Sequence, residues 1–165
     1  RQLHLDPALY ADVSATNFRN AEIAGALHAR GALAGDPAGA LELYSRQSCL
    51  EVTAHDLAIM AATLADGGMN PVTREHVIAP DLCWPVLAVM ATAGMYEHSG
   101  EWLYDVGLPG KSGIGGGVLT VSPGKAGLGS FSPRLDPAGN SVRGVLAATR
   151  LASELGLGLF SSRPA

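Results

Sequence analysis

Cysteine is scarce in this chain: two residues, Cys49 and Cys83, among 165. They lie far apart, share no metal-like spacing with a histidine and sit in apolar segments, so they read as buried thiols. The five histidines, 4, 28, 55, 76 and 98, include no HExxH or other ligand spacing and read as surface residues. No metal is therefore expected. Eleven lysines and arginines are spread along the chain without a basic run, and the net charge is −4, which argues against a nucleic-acid surface. No apolar run approaches the ~20 residues of a membrane span, and the polar start Arg1-Gln2-Leu3-His4 is no signal peptide. The cytoplasm is the default compartment for such a chain.

Only 5% of residues are aromatic, whereas 21 are glycine and 10 are proline. The glycines gather at helix ends and in the later part of the chain, as backbone devices rather than disorder. With 47% hydrophobic residues the chain is one ordinary globular domain or a piece of a larger one.

Residues 1–16 lack clear periodicity; Asp6-Pro7 starts a turn, and residues 9–13 are helical or extended. A first helix follows a cap at Thr16 or Asn17, with Phe18, Ile23, Ala24 and Leu27 on one face. Asp36-Pro37 is an N-cap followed by proline at the first helical position. Thr53 and Asp56 form a capping box, and Leu57, Met60, Ala61, Leu64 and Ala65 then recur at helical spacing. A brief helical piece is expected over residues 73–77, and a fourth helix over about 80–93, kinked or starting late at the Pro85 inside it. Residues 95–106 read as a loop with a short helical turn. Strands over about 117–121 and 127–132 make a hairpin around Pro123-Gly124, and Ser141 starts a terminal amphipathic helix that Gly156 ends. The division is thus a mainly helical part, 1–94, and a hairpin plus C-terminal helix, 95–165, both within one domain. Helices first and an antiparallel pair later argue α+β. A hairpin alone is too small a sheet, so the sheet reads as incomplete.

The chemistry centres on Gly107–Val121, GLPGKSGIGGGVLTV. Lys111-Ser112-Gly113 puts a charge, a hydroxyl and bare backbone N–H groups at the mouth of a Gly-rich strand, which suits a carboxylate or an oxyanion. With Asn20, Tyr44, Tyr96 and the 113–116 backbone it supplies donors but no nucleophile–base pair. Ser122-Pro123-Gly124-Lys125 matches S-x-x-K by letter only, because Pro-Gly in a hairpin turn keeps the two side chains off one helical face.

The Lys-Ser-Gly triplet resembles one of three motifs of the serine β-lactamases and penicillin-binding proteins. Five stretches go further: TNFRN (16–20), LYSRQSCLEVTAHDLAIMAATLADGGMNPVT (43–73), GMYEHSGEW (94–102), GLPGKSGIGGG (107–117) and FSPRLDPAGNSVRG (131–144). Through them the chain, over nearly its whole length, resembles the C-terminal part of the bacterial-type glutaminases. The resemblance implies a β-lactamase-like fold and hydrolysis of L-glutamine to L-glutamate and ammonia through a serine-bound γ-glutamyl intermediate, without a cofactor. It implies substrate contacts for Asn20, Tyr44 and Tyr96, with Tyr96 beside the catalytic serine. It gives the Ile114 N–H the oxyanion, and leaves Lys111 and Ser112 as support. A homo-oligomer, dimer or tetramer, is the expected state, or union with a missing N-terminal half.

Two departures stand out. The family's glutamate for the substrate ammonium falls at Val13, where adjacent Asp12 could compensate. The family's S-x-x-K nucleophile and base precede that point, so this chain alone is expected to be inert. The alternatives are an inactive assembly partner or a penicillin-recognising serine hydrolase, although the latter leaves TNFRN and LYSRQ unexplained.

Overall fold

A computed structural model describes residues 2–161. Arg1 and residues 162–165, placed above in the helical part and the hairpin part, lie outside the described residues. Contacts divide the chain into two compact units, residues 1–52 and 53–165. This boundary differs from the change of secondary structure near residue 94.

The first unit is helical. Strand β1 (His4–Leu5) pairs antiparallel with β2 (Leu50–Glu51), joining the two ends of the unit. Between them run α1 (Pro7–Thr16), α2 (Phe18–Ala29) and α3 (Pro37–Ser48). Helices α1 and α3 start in the same way. Asp6 accepts hydrogen bonds from Ala8 and Leu9 N–H, Asp36 accepts from Ala38 and Gly39 N–H, and proline follows each cap. The segment around residues 9–13 is therefore helix. Helix α2 is capped by backbone geometry at Asn17, whose side chain instead donates to Ser45 Oγ on α3 at 3.0 Å.

The second unit is a three-stranded antiparallel sheet with helices on both faces. Its strands are β3 (Gly110–Ser112), β4 (Gly117–Ser122) and β5 (Ala126–Phe131), in the order β3-β4-β5. The hairpin is the expected one, turning through Pro123-Gly124, and β3 adds a third strand. Its helices are α4 (Ala54–Ala65), α5 (Pro80–Ala93), α6 (Ser99–Asp105) and α7 (Val142–Glu154). Side chains of β4 alternate between two cores, as strand geometry requires. Val121 and Leu119 pack with Ala61, Leu64, Cys83 and Met90 of α4 and α5. Val118 packs with Met95, Trp102, Leu108, Ala148 and Ala152 on the α6–α7 side.

Local signals set most of the helix ends. The capping box holds in full: Thr53 Oγ1 accepts from Asp56 N–H at 3.2 Å, and Asp56 Oδ2 accepts from Thr53 N–H at 2.8 Å. Removing it by Thr53→Ala should cost about 1 kcal/mol, read as a lower midpoint in urea at unchanged slope. Ser141 caps α7 by accepting from Gly144 N–H at 3.1 Å. Helix α5 begins at Pro80 and continues through Pro85 to Ala93.

Two expectations are corrected. Residues 73–77 are not helical: Asn70 Oδ1 accepts from Val72 and Thr73 N–H, Arg74 has φ +62°, and Met69 bridges His76. The asparagine turn takes the backbone donors that a helix would use. Residues 95–106, expected as a loop with a short helical turn, are helical over most of their length: a 3₁₀ turn (Tyr96–His98) runs into α6, which extends the expected turn. Trp102 explains the length of α6, because its indole is buried and donates to Leu108 O at 2.7 Å. Both cysteines are free and buried, as expected.

Candidate active site

The residues singled out in the sequence fall in both units. In the first unit, Asn20 on α2 and Tyr44 on α3 line one cavity of about 260 Å³ together with Ile23, Ala24, Leu27 and Leu41. The Asn20 amide donates to Asn17 Oδ1, Asn17 donates to Ser45 Oγ, and Ser45 donates to Leu41 O at 2.9 Å. This relay fixes the orientation of Asn20 and leaves its own Oδ1 without a bond among the described residues. The Tyr44 side chain is exposed. The cavity is otherwise aliphatic.

In the second unit, Tyr96, Lys111, Ser112 and Ile114 come together. The approach depends on two glycines. A Cβ at Gly94 would overlap Gly110 O, and one at Gly110 would overlap the Trp102 indole. With neither present, the end of α5 lies against β3, and Ser112 N–H donates to Gly94 O at 3.0 Å. Two residues on, Tyr96 has φ +53°, a left-handed conformation that a bulky residue adopts only under local constraint. Its hydroxyl reaches Ser112 O at 3.4 Å. The Lys111 ammonium bonds the same carbonyl oxygen and lies 5.1 Å from the centre of the Tyr96 ring. Partial burial lowers the Lys111 pKa from its ordinary value.

Two donors here are unspent. Ser112 Oγ is buried and has no hydrogen-bond partner among the described residues. Such an orphan is uncommon in folded proteins and asks for a reason. Ile114 sits exposed in the β3–β4 turn. Gly113 N–H donates to Gly117 O and Gly116 N–H to Gly113 O, whereas the Ile114 N–H has no acceptor among the described residues. A cation and a free Ile114 N–H near a constrained tyrosine can hold an anionic or developing oxyanion group, whereas the Ser112 hydroxyl is buried on the other face of β3.

Ser122 and Lys125 form no catalytic pair. Lys125 N–H closes the hairpin turn on Ser122 O, and the Ser122 hydroxyl is spent on Leu157 O at 2.8 Å. The histidines 4, 28, 55 and 76 are exposed. His98 is half-exposed and differs from the rest: its Nδ1 lies 3.2 Å from Asp136 Oδ2. Burial pushes the Asp136 carboxyl up, but hydrogen bonds from Asn140 N–H and His98, with the His98 charge, outweigh it and hold the pKa below the ordinary value. A depressed native pKa stabilises the fold above the unfolded carboxyl's pKa of about 3.9 and loses that effect as pH falls through the native value. The stability advantage of the wild-type chain over Asp136→Asn should therefore shrink on acidification below about pH 4, by urea titration at a series of pH values.

Asp136, Gly139, Asn140 and Ser99 were not singled out from the sequence. The first three lie in FSPRLDPAGNSVRG and Ser99 in GMYEHSGEW, but motif letters alone assign no contact to them. Among the described residues there is no group of three or more His, Cys, Asp or Glu placed to hold a metal, and no helix long and apolar enough to cross a membrane.

The α+β architecture, with Lys-Ser-Gly on a sheet strand, is β-lactamase-like, as in the solved glutaminases it superposes on. The family model described as Glutaminase matches residues 1–160, so the chain belongs to the glutaminase family. It is 58% identical over 164 residues to Glutaminase 2 of Yersinia pestis, covering 99% of this chain and 48% of that protein. Among solved structures, the probable glutaminase YbaS superposes with a TM-score of 0.94 at 43% identity, over 98% of this chain and 52% of that one. A Bacillus subtilis glutaminase, YbgJ, solved as a covalent complex with 5-oxo-L-norleucine, gives a TM-score of 0.89 at 30% identity, over 97% and 57%. The chain spans about half the length of the curated relatives it matches.

Proposed function

We propose that these 165 residues supply the substrate-binding and oxyanion half of a glutaminase active site. In the reaction a serine hydroxyl attacks the side-chain amide of L-glutamine, ammonia leaves, and water releases L-glutamate from the γ-glutamyl ester. The serine and its lysine base come from outside this chain. Asn20 and Tyr44 contact substrate, Tyr96 passes a proton beside the serine, and the Ile114 N–H receives the oxyanion. Lys111 and Ser112 support that turn. Both units belong to one glutaminase domain, which associates as a dimer or tetramer.

The observation that carries this reading is Tyr96, held at φ +53° with its hydroxyl 3.4 Å from the Ser112 carbonyl and an unspent Ile114 N–H nearby in the chain. Family membership supports the reaction, and this geometry is consistent with the roles given to Tyr96 and Ile114. A main-chain donor at Ile114 is indifferent to the side chain that carries it. Isoleucine therefore serves there as well as the valine usual in the family.

Val13, in place of the family's glutamate, lies on α1. On a helix, neighbouring residues point about 100° apart, so Asp12 does not occupy the direction of Val13. Asp12→Ala, introduced in a catalytically complete glutaminase that carries this chain, should accordingly leave the KM for glutamine unchanged.

The reading is tested by ammonia release. The purified chain should release none from L-glutamine. A chimera in which it replaces the matching segment of the Yersinia pestis Glutaminase 2 should hydrolyse L-glutamine and leave nitrocefin intact. Turnover by the chain alone, or a folded chimera that opens nitrocefin and not glutamine, would overturn it.

A further inference from the structure

We infer that the loop from Asp136 to Asn140 is a positioning device for Tyr96. The motif FSPRLDPAGNSVRG has no role in the reading above, yet its centre is bonded to both sides of the tyrosine.

The loop is closed upon itself. Asp136 N–H donates to Asn140 O at 2.8 Å, Gly139 N–H to Asp136 O at 3.0 Å, and Asn140 N–H to Asp136 Oδ1 at 2.9 Å. Its two outward contacts converge on residues 95–98. The Asn140 amide, buried with 1% of its surface exposed, donates to Met95 O at 3.2 Å, directly before Tyr96. Asp136 Oδ2 meets His98 Nδ1 at 3.2 Å, two residues after it. Between these points Gly139, at φ +99°, brings its backbone alongside both Tyr96 and Ile114. A Cβ built there would lie 3.5 Å from the tyrosine ring and 3.6 Å from Ile114.

Local bonds complete the grip. Met95 N–H donates to Ser99 Oγ at 3.1 Å, and the Ser99 hydroxyl donates to Tyr96 O at 2.7 Å. A left-handed tyrosine persists only where its surroundings over-determine it. Ser99 acts within one turn, so it shapes the turn without fixing where the turn sits. Asp136 and Asn140 act across about forty residues of chain and tie the turn to the start of α7. They are positioning residues and touch no reacting atom. Their importance for catalysis rests on the proposed role of Tyr96, but their hold on its backbone does not.

The test reads that hold without turnover, by NMR of the labelled 165-residue chain. In the wild type, the three-bond HN–Hα coupling and Cα shift of Tyr96 report positive φ. Asn140→Ala and Asp136→Asn should each lose that signature and shift the Ile114 amide, while the α4 amides stay in place. Asp136 is less buried than Asn140, so Asp136→Asn decides the matter if Asn140→Ala fails to fold. A Tyr96 signature unchanged in folded Asp136→Asn, or lost only together with the α4 amides, overturns the inference. A glutaminase-inactive chimera would sink the functional reading and leave this result standing.

Discussion

Gly129→Ala should unfold much of the second unit, with a loss of about 3 kcal/mol or more and a fall in melting temperature on the order of 10 °C. Gly127→Ala should behave alike. Both glycines lie on β5 and, two residues apart, face α4. A Cβ at Gly129 would overlap the backbone of Ala54 and Ala58, and one at Gly127 would overlap that of Ala61 and Ala62. The obstacle is helix backbone, which cannot swing aside as a side chain would. Accommodating a methyl group means lifting α4 from the sheet, which opens the core of Ala61, Leu64, Met90 and Val121. Leu128, between the two, packs on the opposite face against the α6–α7 core. Gly25, in the middle of α2, gives the contrast. Nothing lies within 4 Å of its Cβ position, so Gly25→Ala should stabilise its helix by about 0.5–1 kcal/mol. Equal effects at Gly25 and Gly129 would refute close helix–sheet contact as the reason for the β5 glycines.

Tyr96→Phe, placed in the chimera, should lower kcat by about 10²–10⁴-fold with little change in KM. The substitution keeps the ring and removes only the hydroxyl that meets Ser112 O. The hydroxyl and the Lys111 ammonium meet at the same Ser112 carbonyl oxygen, which fixes the position of the group that is removed. The aromatic face above which Lys111 sits remains, so folding should be preserved and the melting temperature should move little. A kcat within threefold of the unsubstituted chimera would remove Tyr96 from the proton path and leave it a structural tyrosine.

Much of the helical framework was legible because its causes are local. Asp36-Pro37 and the Thr53–Asp56 box place their hydrogen bonds within three residues, so a short window contains the whole signal. Asp6-Pro7 carries the same signal, and reading it as a turn left residues 9–13 open between helix and extended chain. Strands β1 and β2 were illegible for the opposite reason. Each has two residues, and their partner lies more than forty positions away. Strand β3 is Gly-Lys-Ser, without the β-branched residues that mark a strand, and its state comes from pairing with β4 and from the bond to Gly94 O.

The candidate site divides in the same way. Lys111, Ser112 and the glycines after them stood out by residue type, and Tyr96 by motif. The left-handed backbone of Tyr96, the unspent Ser112 hydroxyl and the Asn140 bond to Met95 are consequences of packing between distant segments. No window of sequence contains both sides of such a contact.

The central claim is that this chain holds one half of a glutaminase site and needs the other. Its most direct test is the rate of ammonia release from L-glutamine by the purified chain beside that of the chimera at equal concentration. The account predicts turnover by the chimera and none by the chain. Equal rates, or no turnover by a folded chimera, would contradict it.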